Sequence, residues 1–519
     1  MIKRIYASAL VLAVLLLAQA AGLAAQDFGF GFDETEPAAA ANNASLLPFK
    51  LKIGGEINAG LQIFVQDLKD ADTAETVSAL DVISGKLNFS ASGEKADAHL
   101  GLNLSAASIG ELWDKSASLG NPTYTPLIID EAYLRGYLGP VDIEAGLRKL
   151  TWGRADSLGP LDVVNPLDYS DLTNITDIMA MKIARPMVHV TWGMGDFSKL
   201  EAVFIPNFAG HRFARDGRWT PSQFADIPEI AEAGILGRVN ERFGAMIPPS
   251  LLPMLPGLQT QIAGELLHYF NGFSINYPNT GTINYFQSGL RYTTTIGPAD
   301  IGAQYYYGNL FRPGFTIAGV DAFIDDLGMK ILSSSPPIYS DPSLLSPRIE
   351  YNRYHQLGID YAQVIACFNI RAEFAAHITE DLAGDNGAVK NPFLAWSLGF
   401  DRSLIWGITA NIQCNETIRL LNGKVGDNPV QDSEAGTDAT ATRLTMQVSK
   451  KFFRDNLECK ITNIWDVEDK DCYIIPSIAW TISDVTAELS AGVFAGEEAG
   501  ELGQYWKSSF VKLGVTYKF

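Results

Sequence analysis

Along much of this chain, apolar and polar residues alternate one position at a time. In residues 408–415, Ile, Ala, Ile and Cys occupy the even positions, and Thr, Asn, Gln and Asn occupy the odd ones. Residues 301–307 repeat the pattern, with Ile301, Ala303 and Tyr305 alternating with Gly, Gln and Tyr. Because successive side chains of a β-strand point to opposite faces, these segments predict strands with one apolar and one polar face.

Eighteen segments of this kind follow one another after residue 48. Most are close to the ~9–11 residues that a tilted strand needs to cross a bilayer, so they predict a transmembrane antiparallel β-barrel. The predicted strands are 50–66, 78–92, 95–106, 127–138, 141–150, 184–193, 197–206, 284–296, 299–308, 350–362, 366–378, 392–402, 405–416, 441–450, 456–466, 472–482, 485–495 and 507–519.

The connections between these strands alternate between short turns and longer loops. Short turns such as Gly139-Pro140 and Ser483-Asp484 are expected on the periplasmic side of such a barrel, and longer loops on the outer side. Eighteen strands satisfy this alternation with both barrel ends in the periplasm. Residues 259–270 also alternate and are either a strand within a loop or a misassigned wall strand. A barrel of sixteen strands is the alternative. The longest predicted loops are 107–126, 151–183, 207–283, 309–349 and 417–440.

Both ends of the chain carry signals of export and assembly. Two basic residues followed by an apolar run and small residues predict a signal peptide at 1–25. A short periplasmic segment at 26–48 would then precede the barrel at 49–519. The last strand places Phe519, Tyr517 and Val515 on its apolar face, and we expect it to close on the first strand and to act as an assembly signal, since an open sheet edge is unfavourable in lipid.

The net charge and the cysteine content bear on which ligands and partners the protein has. The formal net charge is −20, which argues against nucleic acid as a partner, since both are negatively charged. The four cysteines are far apart and none forms a Cys-x-x-Cys pair, so we expect unpaired thiols and no metal site. Acidic residues collect in the predicted outer loops, for example at 466–471.

Two of the long loops carry helical periodicity. Apolar residues at spacings of three to four recur in 230–243 and in 320–331, which indicates amphipathic helices. Such helices would cap the pore, fold into it, or pack on the loops themselves.

The sequence shows no motif of a hydrolase, a metalloprotease or a phosphate-binding loop. We therefore predict a protein without enzymatic activity, cofactor or bound metal. The polar faces of several strands instead carry both acidic and basic residues, as the wall of a water-filled channel requires. The same residues would also form ion pairs between strands. These candidate lumen residues are Glu131, Arg135, Glu144, Arg148, Arg291, Arg371 and Glu373.

One segment resembles a known group of proteins. Residues 146–156 read Gly-Leu-Arg-Lys-Leu-Thr-Trp-Gly-Arg-Ala-Asp, and Asp162, Asn165-Pro166 and Asp168 follow. With the flanking Asp130-Glu131-Ala132-Tyr133-Leu134 and Phe204-Ile205-Pro206, this pattern resembles a poorly characterised family of large Gram-negative outer-membrane proteins that is distantly similar to the alginate-export porins. The resemblance covers roughly residues 127–206. It implies an outer-membrane channel and no particular substrate.

These observations predict a porin-like channel for small hydrophilic or amphipathic solutes. We expect contact with outer-membrane lipid, with periplasmic chaperones and with the barrel-insertion machinery. A fatty-acid-type transporter and a surface adhesin with a closed lumen are the alternatives. We further expect the 151–183 loop to fold inward as a constriction, with Arg148 and Arg154 facing Asp156 and Glu144, and with Asp162 and Asp168 nearby; a rigid external turn is the alternative.

Overall fold

The computed structural model describes residues 49–66, 77–78, 83–105, 108–109, 128–214, 216–225, 227–244, 255–271, 277–333 and 341–519. The predicted signal peptide and the segment at 26–48 lie outside these ranges and remain predictions.

Eighteen antiparallel strands form one closed barrel within the described chain. Each strand pairs with its neighbour in sequence, and the last pairs with the first from Glu56–Lys518 to Phe64–Phe510. The strands are β1 (Lys50–Phe64), β2 (Ser84–Ser92), β3 (Ala96–Ser105), β4 (Ile129–Leu138), β5 (Val141–Arg148), β6 (Arg185–Gly193), β7 (Ser198–Ile205), β8 (Gln287–Ile296), β9 (Ala299–Asn309), β10 (Arg353–Ile365), β11 (Phe368–Thr379), β12 (Phe393–Ser403), β13 (Ile408–Arg419), β14 (Thr440–Phe452), β15 (Leu457–Asp466), β16 (Asp471–Ile482), β17 (Val485–Gly496) and β18 (Phe510–Lys518).

The eighteen predicted strands are confirmed, and the sixteen-strand alternative is wrong. The predicted second strand begins too early, because β2 starts at Ser84 and the two-residue strand Val77–Ser78 pairs separately with β1. The alternation read at 259–270 is not a strand. Those residues lie in a helix, where Ile262 and Leu266 are fully buried at i and i+4, a spacing that short apolar patterns leave ambiguous.

Three helices in the long loops pack together. They are α1 (Ile227–Gly244), α2 (Leu255–Asn271) and α3 (Val320–Ser333). Their apolar faces share one core with Val430 of another loop, so the predicted helices at 230–243 and 320–331 are confirmed and pack across loops. The shorter elements are the helices Ile178–Met181 and Ser222–Ala225, the strand pairs Asp168–Tyr169 with Arg212–Phe213 and Gly314–Ala318 with Ser346–Glu350, and the 3-10 turns Ile283–Tyr285, Pro342–Leu344, Ile405–Gly407, Asn422–Lys424 and Gly503–Ser508.

The outer face of the barrel is apolar. Leu357 and Ile359 of β10 are 52% and 59% exposed, whereas Gln356 and Asp360 of the same strand are at most 2% exposed. Exposed aromatic residues lie near both ends of the outward face, the arrangement found in barrels that face lipid. At the short-turn end they are Trp192, Phe197, Phe368, Phe400, Trp406, Phe453 and Trp480, and at the loop end Phe204, Tyr305 and Trp465.

Among the described residues, no helix has the length and apolarity to cross a membrane. All four cysteines are free thiols, as the sequence predicts.

Candidate functional site: an inward loop in the barrel lumen

The connection between β5 and β6 enters the barrel. Its residues 151–166, called the inner loop below, contact side chains of β9, β10, β11 and β13. These wall side chains face the lumen, because the residues that alternate with them, such as Tyr305 and Ile412, are exposed on the outer face. The inner loop therefore leaves the end of β5, enters the lumen and packs on the part of the wall that β9 to β13 form. This is the inward fold that the sequence predicts for the loop.

The carboxylate of Glu373 on β11 holds the inner loop most directly. One oxygen accepts hydrogen bonds from the backbone N–H groups of Arg154 and Ala155, the latter at 2.7 Å, and the other accepts from Leu161 N–H at 3.3 Å. Glu373 is 4% exposed. A Cβ at Gly153 or at Gly159 would overlap this carboxylate, so both glycines are required for the chain to wrap around it.

Arg154 fixes the loop to two further strands. Its Nε lies 2.6 Å from Asp360 of β10, and its Nη1 lies 3.3 Å from Asp300 of β9. Asp360 also accepts from Arg291 of β8 at 2.6 Å. Asp360 is almost fully buried, and a buried carboxylate is favourable only when paired. Two arginines and one aspartate thus join the loop to β8 and β10.

The tip of the loop is held by β13. Gln413 Oε1 accepts from the backbone N–H groups of Asp156 and Ser157 at 2.9 and 3.0 Å. The carboxylate of Asp156 accepts from Arg371 and, at 2.7 Å, from Asn411. Three other amide side chains donate to backbone carbonyls of the loop: Gln304 to Leu161, Gln356 to Pro160, and Asn415 to Leu158.

Of the predicted charge pairs at the constriction, the structure contains the one between Arg148 and Glu144 but not the one between Arg154 and Asp156. Arg148 does face Glu144, at 3.2 Å, and also pairs with Glu131 at 2.8 Å. Arg154 and Asp156 do not face this pair or each other, because the loop has advanced to the far wall and each finds its partner there. Predicting those partners requires contacts between residues 146 to 215 positions apart in sequence.

A second polar cluster lies on β4 to β7, where the loop begins. Glu144 is the centre of this cluster: it accepts from Arg135 Nε at 2.7 Å and lies 3.0 Å from Nδ1 of His189. Nε2 of His189 lies 3.4 Å from Glu201, which also pairs with Lys199 at 3.0 Å. The sequence identified Arg135 and Glu144, but it did not connect them with His189 or Glu201, which lie on later strands.

The base of the inner loop is rigid. Asn165 accepts from Leu150 N–H and donates to two backbone carbonyls. Asp162 pairs with Lys182 at 2.8 Å, and Lys182 also donates to Leu150 O and Thr151 Oγ1. Burial raises the pKa of Asp162 and lowers that of Lys182, while their mutual attraction opposes both shifts. Asp162 therefore supports the loop and does not line a passage.

Two outer loops meet beside the inner loop. Asp168 pairs with Arg212 at 3.1 Å where their strands run parallel. Nδ1 of His211 accepts from Leu167 N–H at 2.9 Å, and its ring lies 5.2 Å from that of Tyr169. Burial, with Arg312 nearby, lowers the pKa of His211 to about 3. His211 is therefore neutral at physiological pH, as a hydrogen-bond acceptor must be.

An aromatic cluster closes the loop end of β16 to β18. Trp219 from the long 206–286 loop packs against Phe494 and Tyr505 at ring-centre distances of 5.7 and 5.8 Å. The neighbouring Arg218 lies over the ring of Phe64 at 3.6 Å. The loop that begins after β7 thus reaches the barrel seam between β18 and β1, which no local sequence pattern predicts.

No protein-family model and no curated protein sequence matches this chain. The chain is similar in structure to outer-membrane channels of Gram-negative bacteria. OccK11 (OpdR) of Pseudomonas aeruginosa has 9% identity and a TM-score of 0.40, with 90% of this chain and 96% of that chain covered. OccD3 (OpdP) of the same organism has 8% identity and a TM-score of 0.41, with 90% of this chain and 91% of that chain covered. The channel DcaP of Acinetobacter baumannii has 10% identity and a TM-score of 0.37, with 92% of this chain and 100% of that chain covered. At these TM-scores the likeness carries no inference about activity, and the resemblance to alginate-export porins stays a prediction.

Proposed function

We propose that this protein is an outer-membrane channel through which small hydrophilic or amphipathic solutes diffuse. The closed barrel supports membrane insertion, because every wall strand that the structure describes pairs on both sides and so leaves no edge of this sheet open to lipid. The apolar outer face and the aromatic residues near both of its ends match the two interfaces of a bilayer.

The observation that carries the proposal is the inner loop, which Glu373, Arg154 and Gln413 hold against the lumen wall. A loop in this position narrows a passage, and a purely structural barrel has no need of one. Its charges are balanced by the wall, since Arg154 and Asp156 each pair with a wall residue of opposite sign. The loop is therefore a fixed constriction in this proposal, and Glu131, Arg135, Glu144, Arg148, Arg291 and Arg371 form the charged wall around it.

The proposal places the protein in the bacterial outer membrane after export by the signal peptide predicted at 1–25. Its partners would be outer-membrane lipid, the periplasmic chaperones and the barrel-insertion machinery. It has no enzymatic step, since solutes pass by diffusion.

Conductance of the purified protein in a planar lipid bilayer tests the proposal. We expect stepwise, ohmic currents of uniform size. Folded, heat-modifiable protein that gives no current would contradict the channel and favour a surface-binding barrel. Uptake of fatty acids without ion conductance would instead favour the transporter of hydrophobic compounds.

A further inference from the structure

One row of lumen residues on β14 to β18 is rich in lysine and hydroxyl groups. The pairing registers place Ser449 beside Lys460, Lys460 beside Ser477, Ser477 beside Ser490, and Ser490 beside Lys512. These five residues are called the lysine row below. Neighbouring strands are ~4.8 Å apart, so the two lysine backbones lie about 14 Å from each other.

The lysine row faces the lumen. The residues that precede or follow its members on the same strands are exposed on the outer face of the barrel, by 39 to 50%; they are Val448, Ile461, Ile478, Leu489 and Val511. Ser477 is 7% exposed, and both lysines are half-buried. Because successive side chains of a strand point to opposite faces, all five side chains of the lysine row point into the lumen.

The two lysines differ from the arginines of the opposite wall. Arg135, Arg148, Arg154, Arg291 and Arg371 are each paired with a carboxylate. Within the described parts of the chain, neither Lys460 nor Lys512 has a carboxylate within 4 Å. The described contacts of the inner loop also end at β13, so the lysine row lines the side of the lumen that this loop leaves free.

Acidic residues near the row do not cancel its charge. The adjacent row toward the short turns contains Lys451, Glu458 and Glu488. A third row at the barrel seam places Glu56 between Lys518 and Lys86. These rows and the lysine row together hold five lysines and three glutamates. This surface is therefore basic, although the whole chain has a formal charge of −20.

We propose that the lysine row makes the channel selective for anions and that small organic carboxylates are its solutes. The inference rests on the channel function proposed above and specifies its solute class. Ammonium groups without a carboxylate partner attract an anionic solute, and the hydroxyl of Ser490 donates a hydrogen bond to it between the two lysines. The low-dielectric wall of a barrel strengthens this local field relative to bulk water.

Reversal potentials across a planar bilayer test the proposal, first in a potassium chloride gradient and then in a potassium acetate gradient. We expect the wild type to prefer chloride and acetate over potassium. The double variant Lys460→Gln with Lys512→Gln should lose this preference several-fold, and Lys460→Glu with Lys512→Glu should reverse it. Lys450→Gln is the matched control, because Lys450 neighbours the same row on the outer face, over the ring of Phe452 at 4.9 Å, and should leave the potentials unchanged.

The outcomes separate this inference from the proposed function. A wild type without conductance would remove the channel function and the inference with it. A conducting wild type that prefers potassium would overturn only the inference. Unchanged reversal potentials in a folded, conducting charge-reversal variant would also overturn it, since the lysines would then lie outside the permeation path.

Discussion

At the scale of single residues, buried carboxylates decide where the inner loop lies. Glu373 accepts three backbone N–H groups of the loop, and Asp360 joins Arg154 to Arg291. Hydrogen bonds to a charged group contribute about 1.5–3 kcal/mol each, more than bonds between neutral groups. A few side chains therefore suffice to hold a loop of sixteen residues inside a wide barrel.

Replacing the carboxylate in Glu373→Ala should release the inner loop without unfolding the barrel. Three N–H groups lose their acceptor, so we expect a larger and noisier single-channel conductance. Lys450→Gln is the control, because Lys450 lies on the outer face of β14, away from the described contacts of the loop. The same conductance and noise in Glu373→Ala as in the wild type would show that the loop does not limit permeation.

His211 should make the junction of the outer loops sensitive to acid. Its pKa is depressed to about 3 in the folded state, whereas in the unfolded chain it is ~6.5. Below pH 6.5 the unfolded state therefore binds a proton that the folded state does not. The stabilisation is complete above pH 6.5 and is lost between pH 6.5 and about 3, by up to about 1.4 kcal/mol per pH unit.

Thermal unfolding of purified wild type and His211→Asn between pH 7 and 4 checks this prediction. Asparagine retains an acceptor for Leu167 N–H but does not titrate, so the variant should lose less stability as the pH falls. Parallel pH profiles for the two proteins would show that the folded pKa of His211 is not depressed.

At the scale of elements, alternation gives each strand two different environments. Leu489 of β17 is 49% exposed on the outer face, and the adjacent Ser490 belongs to the lysine row. On the outer face, a charged residue costs less free energy near a strand end than at the bilayer midplane. Ala410, the third residue of β13, pairs with Arg402 of β12 near the short-turn end, where a charge already reaches the interface.

Arginine at Leu489 should therefore destabilise the barrel by about 2–4 kcal/mol, the cost of this residue near the bilayer midplane. Arginine at Ser490 should be tolerated in the aqueous lumen. Unfolding in urea, followed by the loss of heat-modifiable mobility, measures both variants. Equal damage at the two positions would contradict the assigned faces.

At the scale of the whole molecule, closure depends on the seam between β18 and β1. Phe519 exchanges two backbone hydrogen bonds with Gly55, at 2.9 and 3.0 Å, and its ring lies 6.0 Å from that of Tyr517. A Cβ at Gly55 would meet the Phe519 ring at 3.0 Å and overlap the Lys86 backbone. Phe519 thus contributes to closure of the barrel and packs on β1.

Deleting Phe519 should sharply lower the amount of folded barrel in the outer membrane. The seam loses two backbone hydrogen bonds and the contact between the rings of Phe519 and Tyr517. Heat-modifiable protein in outer-membrane fractions measures the effect, with a conservative Phe519→Tyr variant as control. Normal amounts of the deletion variant would show that the contacts of Phe519 do not decide closure of the barrel.

The sequence by itself determined the barrel. The period of two, the strand lengths and the alternation of short and long connections are local properties, and they identify all eighteen strands and the lumen face of residues such as Arg135 and Glu373. Helical periodicity likewise identified α1 and α3. Local pattern failed at 259–270, where the same spacing of apolar residues fits both a strand and a helix, and only packing against α1 and α3 decides for α2.

Only the tertiary structure decided which charges are partners and which, among the described residues, have no partner. Arg154 and Asp156 are close in sequence, yet each pairs with a wall strand brought near by closure of the barrel. The lysine row is formed by five strands whose registers no single segment specifies. Ion pairs form only between charges that lie within a few ångströms of each other in the lumen. The alternation of residues along the sequence predicts which face of a strand a residue occupies, but it does not predict these distances.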